Sequence, residues 1–474
     1  MKKTYSLFVS FIILLGISAI ANGQDEPSFS KQQILDDIGY LKKSLEQTHY
    51  NLYAFISKAE FEENVDNIEN SIPKDSLNLL EVTSIFQRII SKANTGHAEI
   101  DFPVQSYIQY AKSNGTLFPI ELALENGNAY IRKNLSNDDQ FKNGMQIISI
   151  NDVEINEILE KLYLQLSAER TYFKNAKLEF WSFPRLYWQV YGEQKTFRIE
   201  IKSSTKRVTH SIDAISVGDF ESRRNGEILN EKRMFDVIEN IAYLNPGPFS
   251  TKSDENIDSF KKFIDSSFIK IKEKNVDTLI VDFRNNSGGD NDYSEYLISY
   301  IADRPFKWHS KFSLKSSSLL KKQTRKNNDT TNVYFKRILN EPNGKVYNYY
   351  YELNQPVPLN QRFIGEVYVL INRQTYSMAA VAAAEMQDYE FATIVGEETG
   401  DFPTLYASQF SYPLPNTGVT VKVPKGYIIR PNRKEDLKGV IPDIEISDHL
   451  LDEKDEILNG LLKTFGRKHI EKHR

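Results

Sequence analysis

One segment constrains the fold of this chain most strongly. It is a continuous apolar run that ends in a polar turn and is followed by an alanine-rich stretch. The run covers residues 368–385 (YVLINRQTYSMAAVAAAE). Its first part is typical of a buried strand, and its second part has strong helix propensity. We therefore predict a strand, a turn and a helix, with Ser377 where the helix begins. A serine there commonly serves as an N-cap. It can also act as a nucleophile, because the unpaired N–H groups and the helix dipole stabilise an adjacent oxyanion.

A second segment, residues 276–290 (VDTLIVDFRNNSGGD), has the same plan. An apolar strand, expected to be buried on both faces, runs into a polar turn with two glycines. Paired glycines let the backbone approach a ligand and present its N–H groups, as an oxyanion hole requires. Most such pairs are only turns. This turn and the later Ser377 segment together favour Ser377 as a nucleophile over Ser377 as a helix cap.

Four motifs follow the order found in a known peptidase family: residues 282–289 (DFRNNSGG), the Ser377 turn, residues 395–400 (VGEETG) and residues 439–443 (GVIPD). Over roughly residues 30 to 447 the chain resembles the tail-specific, or C-terminal-processing, serine peptidases and their relatives in the tricorn core. The resemblance implies that Ser377 is the nucleophile. It also implies oxyanion donors at the backbone N–H of Met378 and of a glycine in the Gly288–Gly289 turn, which we assign to Gly288.

The resemblance allows two kinds of base for the serine. The processing-protease branch has a lysine four positions before a glutamine. If Gln409 is that glutamine, Leu405 stands at the lysine position, and leucine cannot accept a proton. The tricorn-core-like branch instead has a histidine after the N-terminal helices, where this chain has Gly96 and His97. Imidazole is suited to general-base catalysis near pH 7. We therefore predict His97 as the base, with His49 at a helix end as the weaker rival.

Two acidic residues compete for the third catalytic position. An acid usually orients a histidine base, and in the tricorn-like branch a glutamate shortly precedes the GVIPD-type motif. Glu435 is the nearest match and Asp436 its competitor, while Glu397 is expected to brace its own loop. The tricorn-type pattern also has a serine before the histidine, where this chain has Gly96. The predicted catalytic residues are Ser377, His97 and Glu435.

The start of the chain has the pattern of a secretory signal peptide. A basic start at residues 1–4 precedes an apolar core at 7–20 and small residues at 19–24, and the core is short for a membrane span. We expect residues 1–23 to be removed, and the mature protein to be periplasmic or secreted, without a membrane association. The chain has no cysteine, which excludes a lipoprotein anchor, disulfides and cysteine-based zinc sites.

Charge and motif content exclude further classes of function. A net charge of −5 over 474 residues gives no basic bias towards nucleic acid. Histidine-rich clusters and glycine-rich phosphate loops are absent from the sequence, so we expect no metal and no cofactor. The expected partner is a polypeptide substrate in an extended or unfolded form, because strand addition needs a free backbone edge.

Changes in hydrophobic period divide the chain into segments. Three amphipathic helices follow residue 30, and two of them open with capping-box patterns at residues 30–33 and 57–60. From about Phe118 a strand pattern with an Asn-Gly hairpin takes over. A strand-turn signature at residues 142–153 resembles a PDZ domain. Alternating strands and helices after residue 230 predict an α/β layer.

We therefore predict an α/β multidomain fold. It has an N-terminal helical region, a PDZ-like β-rich domain and, as the resemblance implies, a crotonase-like (ClpP/crotonase) β/α catalytic domain. The predicted segments are the signal peptide 1–23, the helical domain 24–104, the PDZ-like domain 105–217, the catalytic domain 218–450 and a C-terminal helical tail 451–474.

The sequence as a whole predicts a serine endopeptidase or C-terminal-processing peptidase. Two alternatives stay open. The first is a catalytically inactive homologue that binds peptides or hydrophobic ligands, which the missing lysine favours. The second is a crotonase-like acyl hydrolase or lyase, since one fold supports several chemistries. The signal peptide argues against the second, because coenzyme A would be out of place beyond the inner membrane.

Overall fold

The computed structural model describes residues 27–73, 76–203, 206–224, 232–250, 256–452 and 454–466. The predicted signal peptide, residues 1–23, lies outside the described residues and stays a prediction. The described residues form two compact units: unit 1 within residues 27–224, 314–347 and 406–426, and unit 2 within residues 232–313, 348–405 and 427–466. No helix within the described ranges is long and apolar enough to cross a lipid bilayer.

The described residues form a mixed α/β structure. The helices are α1 Lys31–Thr48, α2 Lys58–Ser71, α3 Leu79–Ile90, α4 Val104–Lys112, α5 Ile155–Tyr163, α6 Thr171–Trp181, α7 Phe183–Tyr191, α8 Val217–Arg224, α9 Ile257–Glu273, α10 Asn291–Ser299, α11 Ser318–Asn327, α12 Val333–Asn340, α13 Met378–Asp388 and α14 Glu456–Thr464. A 3-10 helix covers Ser91–Ala93.

The strands are β1 Ser28–Phe29, β2 Leu77–Asn78, β3 Glu99–Ile100, β4 Thr116–Leu117, β5 Ile120–Glu125, β6 Asn128–Asn134, β7 Gln146–Ile150, β8 Val153–Glu154, β9 Thr196–Ser203, β10 Lys206–Asp213, β11 Ile215–Ser216, β12 Met234–Ile238, β13 Ile241–Asn245, β14 Thr278–Asp282, β15 Lys311–Lys315, β16 Val346–Asn348, β17 Glu366–Ile371, β18 Thr393–Gly396, β19 Leu405–Pro413, β20 Thr420–Ile429 and β21 Ile444–Glu445.

Three capped helices open unit 1. Ser30, Ser57 and Asn78 each form a capping box with the residue three positions later, which confirms the two boxes that the sequence predicted and satisfies N–H groups at the helix starts. The apolar faces of α1, α2 and α3 are buried in one core, which also contains Val421 and Val423 of β20. In the same unit β20 pairs antiparallel with β3.

An antiparallel sheet forms the second part of unit 1. Its strand order is β10-β9-β7-β6-β5, and β8 pairs with β7. Asn126 and Gly127 both have positive φ, at 50° and 76°, as a two-residue hairpin turn requires. The predicted Asn-Gly hairpin is thereby confirmed. Helices α5, α6 and α7 pack on the sheet, because their apolar side chains share its core.

A six-stranded sheet forms the core of unit 2. Its order is β12-β13-β14-β17-β18-β21, antiparallel between β12 and β13 and parallel from β13 onwards. The central strands are near-continuous apolar runs, as parallel strands covered on both faces are. The carboxyl ends of parallel strands meet at one edge. The loops that follow β13, β14, β17 and β18 therefore start side by side, and the predicted nucleophile and glycine turn lie on two of them.

Candidate active site

Ser377 occupies the N-cap position of α13. β17 ends at Ile371 and α13 begins at Met378, which confirms the predicted strand, turn and helix. The Ser377 backbone has φ 54° and ψ −127°, a conformation that non-glycine residues rarely adopt and that costs about 1–3 kcal/mol. Within the described residues its hydroxyl makes no capping hydrogen bond to α13. The strained backbone and the unused cap both argue against a purely structural serine.

The Ser377 backbone is held by Asp401, a residue that the sequence analysis did not identify. Ser377 N–H donates to Asp401 Oδ2 at 2.9 Å, and Phe402 N–H donates to Asp401 Oδ1 at 3.0 Å. The Asp401 side chain is fully buried. The hydroxyl of Thr399 donates to the Asp401 carbonyl at 2.7 Å. Asp401 thus joins the loop after β18 to the serine turn. The available sequence signal was its position directly after the VGEETG motif.

Gly288 packs directly against the serine turn. Its φ is +78°, and a Cβ at this position would lie 2.6 Å from Met378 N and 2.8 Å from Ser377 Cβ. A side chain of any size would displace the first backbone N–H of α13, so glycine is required. The structure thereby brings together three of the predicted site residues, Ser377, Met378 and Gly288.

Asn286 connects three loops at this edge of the sheet. Its side-chain Oδ1 accepts from Gly288 N–H at 2.9 Å, and its Nδ2 donates to the Gly247 carbonyl at 2.8 Å. Its own carbonyl accepts from Tyr376 N–H at 3.0 Å. The Gly288 amide is therefore already hydrogen-bonded, whereas the Met378 N–H belongs to the first turn of α13 and has no partner within the helix.

A second pair of amides reinforces the same two loops. Asn285 N–H donates to Asn372 Oδ1 at 3.1 Å, and Asn372 Nδ2 donates back to Asn285 Oδ1 at 2.8 Å. The Thr375 hydroxyl donates to the Phe283 carbonyl at 3.0 Å. Buried polar groups that are hydrogen-bonded in this way fix one conformation. The glycine turn and the serine turn thus form one rigid pair.

A buried ionic cluster anchors the strand that leads into the glycine turn. Arg284 binds Asp282 through Nε at 2.9 Å and Nη2 at 2.6 Å. It also binds Asp455 through Nη1 at 2.5 Å and Nη2 at 3.0 Å. Burial opposes the charge on Arg284, but the two carboxylates outweigh it and hold its pKa well above the ordinary value. Asp455 is also the N-cap of α14, so the C-terminal helix is tied to β14.

His97 lies in unit 1, in the turn between the 3-10 helix and β3. The residue before it is held on both sides: Gly96 N–H donates to Glu169 Oε1 at 2.7 Å, and the Gly96 carbonyl accepts from Lys177 Nζ at 2.8 Å. A Cβ at Gly96 would lie 2.8 Å from Phe173 Cε1 and 3.0 Å from Glu169 Oε2. A serine here, as in the tricorn-type pattern, would therefore require the Phe173 and Glu169 side chains to move.

The His97 side chain is buried, at 3% exposure. Burial lowers the pKa of His97 to about 3, although the Glu99 carboxylate acts in the opposite direction. The imidazole is therefore neutral at neutral pH. The His97 carbonyl accepts from Gln409 Nε2 at 2.8 Å, and the same Nε2 lies 3.3 Å from Glu99 Oε1. Gln409, the candidate for the family's glutamine, thus holds the His97 backbone.

The other residues considered from sequence have different surroundings. His49 is fully buried at the end of α1, and its Nδ1 accepts from Asn51 N–H at 3.1 Å, which agrees with a packing role. Leu405 is buried. Glu435 lies exposed in unit 2, where its Oε2 accepts from the Tyr427 hydroxyl at 2.9 Å. No described contact joins Glu435 to the Ser377 turn.

One surface group in the described ranges has the spacing of metal ligands. His449, Asp452 and Glu456 offer ligand atoms within 4.8 Å of one another, with His449 and Asp452 exposed. His449 Nε2 lies 2.9 Å from Glu456 Oε1, so this pair is already satisfied by an internal contact. Exposed acidic groups are common on protein surfaces, and we assign no metal here.

Comparison with known proteins shows which family model and which solved structures this chain resembles. Residues 240–446 match the model of peptidase family S41. The chain is similar in structure to mature CPAF, with 14% identity, a TM-score of 0.59 and coverage of 88% of this chain and 92% of that one. It is also similar to mature CPAF complexed with lactacystin, with 14% identity, a TM-score of 0.58 and coverage of 88% and 94%. A photosystem II D1 C-terminal processing protease has 13% identity, a TM-score of 0.46 and coverage of 92% and 97%.

Proposed function

Since the chain belongs to peptidase family S41, the tail-specific family of serine peptidases that act on polypeptides, we propose that Ser377 is the nucleophile of a peptidase that works through an acyl-enzyme. One observation carries the proposal. Ser377 stands on a strained turn against Gly288, with its N–H held by Asp401 and its hydroxyl unused as a cap. Strain of this kind at a partly exposed serine is typical of a nucleophile presented at a strand-to-helix turn.

In the proposed reaction the Ser377 oxygen attacks the carbonyl carbon of the scissile peptide bond. His97 accepts the hydroxyl proton and gives it to the leaving amine, and water then hydrolyses the acyl-enzyme. This assignment places the chain in the tricorn-core-like, histidine-containing branch. The support is that burial keeps the imidazole neutral, which is the form that can accept a proton. If Gln409 is the family's glutamine, Leu405 also stands at the position of the lysine base.

The buried setting of His97 has a chemical consequence for this step. Because burial disfavours the imidazolium, a negative charge must stabilise it as it forms. We assign this role to Glu435 by resemblance. Glu99 is the structural alternative, because its carboxylate already raises the pKa of His97 against the effect of burial.

The proposed oxyanion donors are the N–H of Met378 and an N–H of the glycine turn. Met378 offers a first-turn N–H at the positive end of α13. Gly288 donates its N–H to Asn286, so its use as a donor requires exchange of that bond for one to the oxyanion. The neighbouring Gly289 N–H is the second candidate of this turn, as the sequence analysis allowed.

The proposed domain types follow the same reasoning. We assign the parallel sheet of unit 2 and its helices to a crotonase-like core, and the sheet of β5 to β10 to a PDZ-like domain. The parallel order from β13 to β21 and the antiparallel sheet covered by α5 and α7 support these assignments. The proposed substrate is an extended or unfolded polypeptide, which can add a strand to an open sheet edge.

The test uses a fluorophosphonate probe on the full chain, beside Ser377→Ala and His97→Gln. We expect peptide mapping to find an adduct on Ser377 in the wild type, no adduct at position 377 in Ser377→Ala, and at least a hundredfold slower labelling of Ser377 in His97→Gln. The rate of hydrolysis of unfolded casein should likewise be highest in the wild type, much lower in His97→Gln and absent in Ser377→Ala. Matched peptides with a free or an amidated carboxyl end then distinguish a C-terminal-processing peptidase, which requires the free end, from an endopeptidase.

Two outcomes would contradict parts of the proposal. Labelling of Ser377 that is unchanged in His97→Gln would assign the base elsewhere. A folded wild type whose Ser377 stays unlabelled and which binds unfolded polypeptide without cleaving it would establish the inactive, peptide-binding homologue instead.

A further inference from the structure

A second serine lies in unusual surroundings in unit 1. Ser408 is inside β19 but has a left-handed backbone, with φ 58°, which is uncommon for a non-glycine residue. Its Oγ lies 2.9 Å from Lys425 Nζ on β20 and 3.2 Å from the Tyr334 hydroxyl on α12. The Ser408 side chain is partly exposed. A hydroxyl, an amine and a phenol thus meet at one accessible point.

Lys425 differs from most lysines of the chain. Its side chain is 6% exposed, and within the described residues it has no ion pair. Burial lowers its pKa to about 7. A buried amine without a carboxylate partner loses its proton readily. At neutral pH a large fraction of Lys425 is therefore the free amine, which can accept a proton from a hydroxyl.

A structural role accounts for part of these contacts. Lys425 Nζ also donates to the Ser408 carbonyl at 2.7 Å and lies 3.5 Å from the Gln409 carbonyl, so it holds the bend of β19. Holding a carbonyl, however, requires no hydroxyl at position 408. The contact between Ser408 Oγ and the Lys425 amine is the arrangement of a lysine-activated serine, in which a desolvated amine is the base.

We propose that Ser408 and Lys425 form a second nucleophilic pair, separate from Ser377, that takes an acyl or phosphonyl group from an activated ester or phosphonofluoridate. The Ser408 oxygen bonds to the electrophilic carbon or phosphorus, and its proton passes to the neutral Lys425 amine. The alkoxide or fluoride leaves with the electron pair of the broken bond. The product is one covalent ester per chain. This pair does not depend on the role proposed for Ser377.

The experiment uses the full chain with Ser377→Ala, so that any adduct must arise elsewhere. The protein is treated with a fluorophosphonate between pH 6 and 9, and the adduct is located by peptide mapping. We expect one adduct on Ser408, formed about tenfold faster at pH 8 than at pH 6 because the free amine of Lys425 increases over this range. Exposed serines such as Ser266 serve as the internal reference.

Two variants in the same background separate chemistry from structure. Lys425→Arg retains a hydrogen-bonding cation but cannot become a free base, and should slow Ser408 labelling at least tenfold. Tyr334→Phe removes one hydroxyl contact and should change the rate less. The pair is disproved if folded Ser377→Ala protein leaves Ser408 unlabelled at pH 8, labels it no faster than Ser266, or labels it equally in Lys425→Arg. Because the adduct is mapped by residue, a Ser408 adduct supports this pair even where Ser377 proves inactive.

Discussion

The α-carbon of Gly288 lies against the backbone of Ser377 and Met378. This contact predicts that adding one methyl group at position 288 affects the reactivity of Ser377. Gly288→Ala should destabilise the protein by more than about 1 kcal/mol, because its φ is +78° and the new Cβ would clash with backbone atoms of Tyr376 and Met378. It should also abolish labelling of Ser377, because the new Cβ would displace Met378 N from 2.6 Å. The rate of fluorophosphonate labelling and the free energy of unfolding in urea measure the two effects.

Gly344 is the matched control for this substitution. Its φ is +79°, and no atom lies within 4 Å of a Cβ built there. Gly344→Ala should therefore lower the free energy of unfolding by about 1 kcal/mol through backbone strain alone, less than Gly288→Ala does, and keep the wild-type labelling rate. Equal labelling rates in the two variants would show that the close approach of Gly288 is not needed for the reaction.

Asp401 offers a second test at the level of single atoms. Asp401→Ala removes the acceptors of the Ser377 and Phe402 N–H groups and should cost about 1–3 kcal/mol in the free energy of unfolding. The labelling rate of Ser377 should fall at least tenfold, since small misplacement of a reacting group is expensive. Asp401→Asn retains one acceptor oxygen, so its labelling rate should lie between those of Asp401→Ala and the wild type. An Asp401→Ala variant with normal labelling would limit Asp401 to a structural role.

The sequence located the parts of the candidate site that lie within continuous motifs. Ser377, Met378 and Gly288 follow strands of strong apolar pattern, so their turns could be located, and the structure places the three residues next to one another. Asp401 and Asn286 were missed for a physical reason. Each acts by binding backbone N–H groups of other loops, and such bonds depend on where the loops meet, not on residue spacing.

At the scale of elements, α14 is held to β14 by a buried charge pair. Asp455→Ala leaves Arg284 with one carboxylate instead of two and removes the N-cap of α14. Breaking a buried pair costs about 3–5 kcal/mol. Because residues 285–289 directly follow Arg284, the labelling rate of Ser377 should also fall. Urea unfolding and labelling measure both changes.

Lys454, one residue away, is the control for that experiment. Its pair with Asp452 is exposed, with 77% of the lysine side chain in solvent, and exposed pairs contribute little to the free energy of unfolding. Lys454→Ala should therefore change neither quantity measurably. If Asp455→Ala behaved like Lys454→Ala, the charge pair would not be what holds α14 in place.

Local elements were predicted well from sequence, whereas their long-range partners were not. The capping boxes, the Asn-Gly hairpin and the strand before Ser377 follow from propensity and turn chemistry within a few residues. The hydrogen bond from Gln409 to the His97 carbonyl joins residues 312 positions apart. Nothing local in the sequence shows that residues 406–426 fold with the N-terminal helices in unit 1.

At the scale of the whole molecule, three buried histidines make stability depend on pH. Burial lowers the pKa of His49 and of His97 to about 3 and that of His309 to about 4, from an ordinary value of 6.5. Below pH 6.5 the unfolded chain binds protons at these sites and the folded protein does not. The stability that these groups confer is therefore complete above pH 6.5 and is lost as the pH falls towards 3–4.

The variant His49→Asn isolates one of these contributions. In the wild type the Asn51 N–H donates to His49 Nδ1, and the asparagine side chain retains an acceptor for it. The cavity left by the smaller side chain costs the same free energy at every pH. The free energy of unfolding should thus be lower than that of the wild type at pH 8. Between pH 6 and 4.5 the free energy of unfolding should fall less steeply with decreasing pH in the variant than in the wild type. The two slopes should differ by about 1.4 kcal/mol per pH unit, so the two curves converge as the pH decreases. Parallel curves over this range would mean that His49 is protonated in the folded protein, and that its burial does not exclude the charge. Since His97 is buried to a similar degree, the same outcome would weaken the argument that its imidazole stays neutral.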